Sequence, residues 1–278
     1  MKTAILAALS AVALMAQSTP PAPAAPAVKL WRLDCGTVQV NSLNAFSDTY
    51  AYPGQSKRLT ASCYLIKHGD TYMLWDAGLP AALKGAATDP KPAMSPTLAT
   101  TLPEQFARIA VAPSAITILG ISHYHFDHIG QAPSFSGATL MIGKGDHDAL
   151  KAGQPGVDGG PLKSWLTGGG KVDPVNGDKD VFGDGSVVML GMPGHTPGHH
   201  ALLVKLPRTG LVMLTGDLAH FTENYDGDGV PPFNTDRADT LASLARFKAV
   251  ARNLKARVII QHEPRDVAKL PAFPAAAD

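Results

Sequence analysis

Cysteine is scarce in this chain: 2 residues in 278, without CxxC spacing. That excludes a disulfide-built miniprotein, a zinc ribbon and a dithiol redox motif. Charge of one sign is also missing, since 24 Lys+Arg against 23 Asp+Glu leave a formal net charge of +1. Such balance gives no electrostatic footprint for nucleic acid, and no charge run supplies a basic arm or an acidic tail. No apolar run reaches the roughly 18 residues that a bilayer span needs. Charged residues are only 17% but apolar ones reach 45%, which argues against disorder over most of the length. A chain of this size can bury one large core, a common arrangement for α/β domains.

The first residues read separately. Lys2 precedes an uncharged, apolar-rich run from Ala4 to Ala16, the layout of a secretory leader over residues 1–16. Residues 17–28 are dominated by Pro and Ala and suit an extended linker, which leaves 29–278 as the folded domain. No cysteine follows the apolar run, so nothing indicates a lipid anchor. The expected destination is secretion or a periplasm, where Cys35 and Cys63 are free to pair. Two separately buried thiols are the alternative.

After the linker the pattern opens with strands. Residues 30–40 read as one, and 63–68 with 71–75 as the two arms of a hairpin turning at Gly69-Asp70. Residues 81–95, rich in Ala, Pro and Lys, read as a loop or lid. Helical spacing follows over 102–111, then an apolar strand over 116–121 that runs into histidines. The pattern predicts a strand at 139–142, a short helix at 145–150 and an irregular stretch over 153–170. Further strands are predicted at 187–190, 201–206 and 211–214. A helix capped by Thr235 or Asp236 runs to about residue 254, and a last strand, 257–261, delivers another histidine.

Of the 10 histidines, several stand where apolar strands end. The first cluster is His123-Tyr124-His125-Phe126-Asp127-His128. In a loop leaving a strand, His123 and His125 can point to one side while Asp127 and His128 turn to a neighbouring position, so the cluster offers two adjacent metal sites. Imidazoles with one or two carboxylates suit zinc, and also iron, manganese or cobalt. Downstream, Pro193-Gly194-His195-Thr196-Pro197-Gly198-His199 sets His195 in a tight turn after a strand. Of His199 and His200, one is expected to give a supporting hydrogen bond and the other to face solvent. Leu214-Thr215-Gly216-Asp217 presents a carboxylate able to bridge two cations, and Ile260-Gln261-His262-Glu263 ends the final strand. Taken singly, His195, Asp217 and His262 are more often structural. Together with the first cluster they form one set at strand ends, where open α/β sheets place their ligands.

In that order, HYHFDH, PGHTPGH, TGD and a late strand-end histidine, the sequence resembles the metallo-β-lactamase superfamily. Asp76-Ala77-Gly78 also matches the Asp-x-Gly that precedes the metal motif there, so the resemblance covers most of residues 29–278. It implies an α/β fold of the αββα sandwich type, two sheets face to face with helices outside. It also implies two divalent metal ions, with zinc expected. Carried over, one ion falls to His123, His125 and His195, the other to Asp127, His128 and His262, and Asp217 bridges both. The bridging aspartate points away from true β-lactamases and toward hydrolases of the glyoxalase II and lactonase type. The second His of HxHxDH argues against the diiron redox branch. The segments LDCG at 33–36, CYLIKHG at 63–69 and VIIQHEPRD look most like N-acyl homoserine lactonases. One departure is clear: that family usually has a Tyr three residues after the bridging aspartate, donating to the substrate carbonyl. Here the position is His220, and the nearby Tyr225 is not assumed to replace it.

The resemblance implies opening of a lactone ring, with Asp127 or water passing a proton to the departing alkoxide and His220 assisting the oxyanion. The same ligand set would serve a β-lactam, a thioester or an organophosphate ester, because pocket walls set the choice. A non-catalytic zinc protein would instead need a closed four-ligand site. The expected partner is a small-molecule substrate, with the chain as monomer or homodimer and no nucleic acid or membrane. Asp226-Gly227-Asp228-Gly229 fails the calcium-loop spacing, since its twelfth position is Arg237. Gly168-Gly169-Gly170-Lys171 lacks the leading glycine and trailing hydroxyl of a P-loop. Trp31, Trp75 and Trp165 are expected in the core or a pocket wall.

Overall fold

The computed structural model describes residues 26–278; the predicted leader and nearly all of the Pro/Ala segment lie outside the described residues. One sheet holds β1 (Val28–Val40), β2 (Lys57–His68), β3 (Thr71–Trp75), β4 (Met94–Thr97), β5 (Ile116–Gly120), β6 (Thr139–Gly143) and β7 (Val172–Val175). Their spatial order is β4-β1-β2-β3-β5-β6-β7. The other holds β8 (Lys179–Asp180), β9 (Val187–Gly191), β10 (His200–Leu206), β11 (Gly210–Leu214) and β12 (Arg257–Ile259), in the order β12-β11-β10-β9-β8. β1 thus begins at Val28, the last residue of the predicted linker.

Alternation along the strands sets the layers. On β2, Cys63 and Leu65 face one way and Tyr64 and Ile66 the other, and all four are fully buried. A strand buried on both sides needs cover on both. Tyr64, Ile66, Met73 and Trp75 pack between the sheets against Met189, Leu202, Val204 and Leu214. On the far side of the first sheet, Leu65, Leu119 and Leu140 meet Leu102 and Phe106 of the helix Leu102–Ala107 and Leu150 of the helix Lys144–Ala152. The outer face of the second sheet is covered by Leu244, Phe247 and Ala251 of the helix Arg237–Leu254. This is the expected αββα sandwich.

Local chemistry fixes the helix ends. Thr101 and Glu104 form a reciprocal capping box on the helix Leu102–Ala107. Asp236 caps the helix Arg237–Leu254 by accepting from the Asp239 N–H. Four readings are corrected. The first helix stops at Ala107 rather than 111, and Ala110 already has positive φ. The expected loop 81–95 runs into β4, a Pro-containing edge strand paired with β1 that has no alternation to read. The irregular stretch 153–170 contains the short helix Lys163–Leu166. The last strand ends at Ile259, so Gln261 and His262 project beyond it.

The open question about the cysteines is settled by pairing: Cys35 and Cys63 form a disulfide between β1 and β2. Gly78 presses on it with φ +63°, and a Cβ there would lie 2.5 Å from Cys35 Cβ. The Asp76-Ala77-Gly78 turn is therefore seated directly on the crosslink. With a sequence separation of 28, closing that loop disfavours the unfolded chain by about 3–4 kcal/mol in the chain-entropy model. A Cys35→Ala/Cys63→Ala variant is expected to lose stability of that order in denaturant unfolding. Two titratable thiols in the non-reduced, unfolded protein would contradict the pairing.

Candidate metal centre

Four strand ends deliver the site. The turn after β5 carries His123 and His125 and leads into the short helix Phe126–Ile129, which holds Asp127 and His128. His195 follows β9, Asp217 follows β11 and His262 follows β12. Because β3 runs parallel to β5 and β11 to β12, their C-terminal ends lie side by side. The side chains gather into two groups: His123, His125, His195 and Asp217 in one, and Asp127, His128 and His262 in the other. These are the two sets expected from the sequence. Asp217 joins them: Oδ1 is 2.8 Å from His262 Nε2 and 3.0 Å from His128 Nε2, whereas Oδ2 is 3.4 Å from His195 Nε2.

The donor set fits cations. His262 Nδ1 donates to the Thr60 carbonyl at 2.7 Å, which turns Nε2 inward toward Asp217 Oδ1. His195 Nδ1 faces Asn234 Oδ1 at 2.8 Å, so its Nε2 is a bare lone pair, 3.1 Å from His123 Nε2 and 2.9 Å from His125 Nδ1. His128 Nδ1 donates to Asp76 Oδ2 at 3.0 Å. Imidazoles tied to oxygen acceptors on one nitrogen, with the other nitrogens converging, are arranged as metal ligands are. Converging lone pairs repel unless a shared cation or proton lies between them.

The two groups differ in charge. Burial, aided by the charge of His128, holds His123 well below the usual imidazole range, and burial does the same to His195. Burial also acts on His128, but Asp217, Asp76 and Asp127 outweigh it and hold that imidazole well above its ordinary range. His262 is raised too, because Asp217 overcomes its burial. Burial opposes the charge of Asp217, yet His262, His128 and His220 keep its carboxyl well below the usual range.

Several residues support these side chains, and the sequence marked only some of them. Asp76, at φ +61°, accepts from the Ser122 N–H at 2.6 Å and from Gln261 Nε2 at 2.8 Å besides holding His128. The sequence marked it as the first residue of the Asp76-Ala77-Gly78 segment. Asn234 lies in a Pro-Pro-Phe-Asn turn that gives no hint of a histidine partner 39 positions earlier. His199 is the expected supporting histidine: Nδ1 donates to the Met192 carbonyl and Nε2 accepts the Asp217 N–H at 2.9 Å. His200 does not face solvent as expected; it is buried between the carbonyls of Gly198 and Gly177. Tyr225 packs beside Phe247, away from the ligands. Trp75 and Trp165 are core residues, and Trp31 packs against the core with its Nε1 on the Pro274 carbonyl.

Above the ligands opens a cleft of about 230 Å³. Its apolar walls are Val38, Phe46, Leu59, Met94, Phe126 and Phe233, and His125, Asp127, Asp217, His220 and His262 form its polar part. His220 places Nε2 3.1 Å from Asp217 Oδ2, with its ring against the edges of Phe46 and Phe233. The charge difference between the groups gives a pH dependence. Metal entering beside His128 and His262 must displace protons held above the ordinary imidazole range, and metal entering beside His123 and His195 need not. On lowering pH from about 8 to about 6, the group of Asp127, His128 and His262 is expected to release Co²⁺ first. Dialysis at stepped pH, with His195→Ala and His262→Ala marking each group, checks the order; simultaneous release would contradict it.

Comparison with known proteins follows the same line. A family model described as the metallo-beta-lactamase superfamily matches residues 57–262. The N-acyl homoserine lactonase AttM of Azorhizobium caulinodans is 26% identical over 175 residues, covering 58% of this chain and 63% of that protein. The chain therefore spans just under two thirds of that relative's length. AttM of Rhizobium johnstonii is 26% identical over 251 residues, covering 85% of this chain and 94% of that protein. A solved N-acyl homoserine lactone hydrolase, with the product N-hexanoyl-L-homoserine at its catalytic metal center, superposes with a TM-score of 0.76 at 22% identity. It covers 91% of this chain and 99% of that one. The family match spans every residue of the two ligand groups, and the chain belongs to the metallo-beta-lactamase superfamily.

Proposed function

We propose that this chain is a metal-dependent hydrolase that opens the ring of N-acyl homoserine lactones. The observation that carries the reading is the shared carboxylate: two ligand groups joined through Asp217 form the floor of a cleft whose walls are apolar. A polar, hydrolysable ring at the floor and an acyl chain along Phe46, Met94, Phe126 and Phe233 match that division. The lactonase relatives support the same substrate class.

Two divalent ions held there would polarise the ester carbonyl and bring the pKa of bound water to about 7. Zinc is the proposed ion, because imidazole and carboxylate donors in these numbers suit it. The chain's own residues do the rest. Asp217, between the two groups, fixes their spacing and offsets cationic charge. Asp127, partly open to the cleft, takes the proton that water loses on attack and returns it to the ring oxygen as the carbonyl C–O bond breaks. Atoms balance as lactone plus water giving the hydroxy acid. His220, with Nε2 beside Asp217, is the side chain placed to donate to the oxyanion. The apolar walls exclude competing water and hold the chain of the substrate.

Export is also proposed. The leader-like residues 1–16 suggest it, and a disulfide suits an oxidising compartment. The mature protein recovered from outside the cytoplasm is expected to start at Gln17; an intact Met1 there would argue against cleavage.

The function is tested with the purified, zinc-loaded protein on short- and long-chain acyl homoserine lactones beside a chromogenic cephalosporin. Chelator-sensitive ring opening without cephalosporin turnover is expected. Cephalosporin turnover alone, or silence on every lactone, would overturn the substrate assignment. His220→Ala is expected to lower kcat on the lactone by about 10²-fold, the usual size of a lost oxyanion donor, at unchanged metal content. An unaltered kcat would remove His220 from the chemistry.

A further inference from the structure

Asp146 is a fully buried carboxyl that takes no part in the reaction above. It lies at the start of the helix Lys144–Ala152, just after β6. Its Oδ2 accepts from Thr196 Oγ1 at 2.9 Å and its Oδ1 from the Gly198 N–H at 2.6 Å, and the backbone N–H of Tyr124 also donates to it. The approach is close enough to demand glycine on both sides. A Cβ at Gly143 would fall 1.8 Å from the Gly198 carbonyl oxygen, one at Gly145 2.6 Å from the Pro197 carbonyl, and one at Gly198 2.4 Å from Asp146 N.

The three groups that Asp146 holds share a neighbourhood. Tyr124 sits between His123 and His125. Thr196 follows His195, and its carbonyl also accepts from the N–H groups of Gly194 and His199. Gly198 precedes His199, whose Nε2 receives the Asp217 N–H. One carboxyl thus grips backbone next to His123, His125 and His195 and, one step further, sets Asp217. Its direct hydrogen bonds reach only backbone and the Thr196 hydroxyl beside the first group, and its one route toward His128 and His262 is the shared Asp217.

We infer that Asp146 is a positioning residue that organises the group of His123, His125, His195 and Asp217 selectively, holding two loops in register so that one of the two metal positions keeps its geometry. The inference rests on the two-metal reading. Uptake of two Co²⁺ by the wild-type protein tests that reading by itself, and site-selective loss tests the inference. An amide at this position can still accept from Gly198 and donate to Thr196 Oγ1. Burial pushes the Asp146 carboxyl up to about 7.

The test is Co²⁺ titration of chelator-stripped full-length protein in two backgrounds. In His262→Ala, which leaves the first group intact, Asp146→Ala is expected to weaken Co²⁺ binding by about tenfold or more, the usual cost of losing a group that orients ligands. In His195→Ala, the same change is expected to leave the remaining affinity within about threefold. Asp146→Asn is expected to restore binding in the first background to within about threefold of the unmodified position. Equal losses in both backgrounds, or none in either, would overturn the inference. Should Asp146→Ala fail to fold, Thr196→Val in the His262→Ala background decides: weaker Co²⁺ binding upholds it, and unchanged binding overturns it.

Discussion

Everything at the centre of this molecule depends on the Asp217 carboxylate being buried among imidazoles. A buried charge is costly unless partners surround it. Here His128 and His262 lie at about hydrogen-bond distance from one oxygen, and His220 stands beside the other. The backbone is arranged to hold it there. Gly216, at φ +56°, leaves no room for a side chain against His199, and His199 in turn receives the Asp217 N–H. The carboxylate is therefore fixed through both its side chain and its main chain, and the two ligand groups take their spacing from it.

The fold was legible wherever periodicity was strong. Tyr64 and Ile66 against Cys63 and Leu65 on β2, and Leu202 and Val204 against Ala201 and Leu203 on β10, announce strands covered on both sides, and Asp236 announces its helix. The ligands were legible for a related reason: an apolar run that stops at a histidine or aspartate places that residue at a sheet edge. The illegible parts have physical causes as well. β4 and β7 are short and contain Pro, and β8 has two residues, so none carries an alternating pattern. His200 looked like a surface residue because nothing local reveals that Gly177, from a distant turn, supplies a carbonyl to it. Asn234, Gln261 and Asp146 act on loops far away in the chain, and residue spacing reports only local geometry.

At position 220 the structure has an imidazole where the sequence resemblance led to a phenol. A phenol is a donor held at the end of a long arm, whereas an imidazole is shorter and carries two nitrogens of opposite role when neutral. Nε2 lies beside Asp217 Oδ2 and is the nitrogen placed to donate to it, and Nδ1 lies buried without a partner between aromatic edges. Phe46 and Phe233 thus do two things: they wall the cleft and they keep the ring from turning outward. The proton on Nε2 stays on the side of the ligands.

The asymmetry of the two ligand groups follows from how each is braced. The group of His123, His125 and His195 is held mostly by neutral contacts, the Asn234 amide and the backbone grip of Asp146, and burial keeps its imidazoles uncharged. The group of His128 and His262 is braced by the Asp76 carboxylate and shares Asp217, so both imidazoles are held above their ordinary range. A cation approaching the first group meets bare lone pairs; one approaching the second must first displace protons that the carboxylates favour. These electrostatics favour a cation at the first group over the second, even though the donor atoms of the two groups are chemically alike.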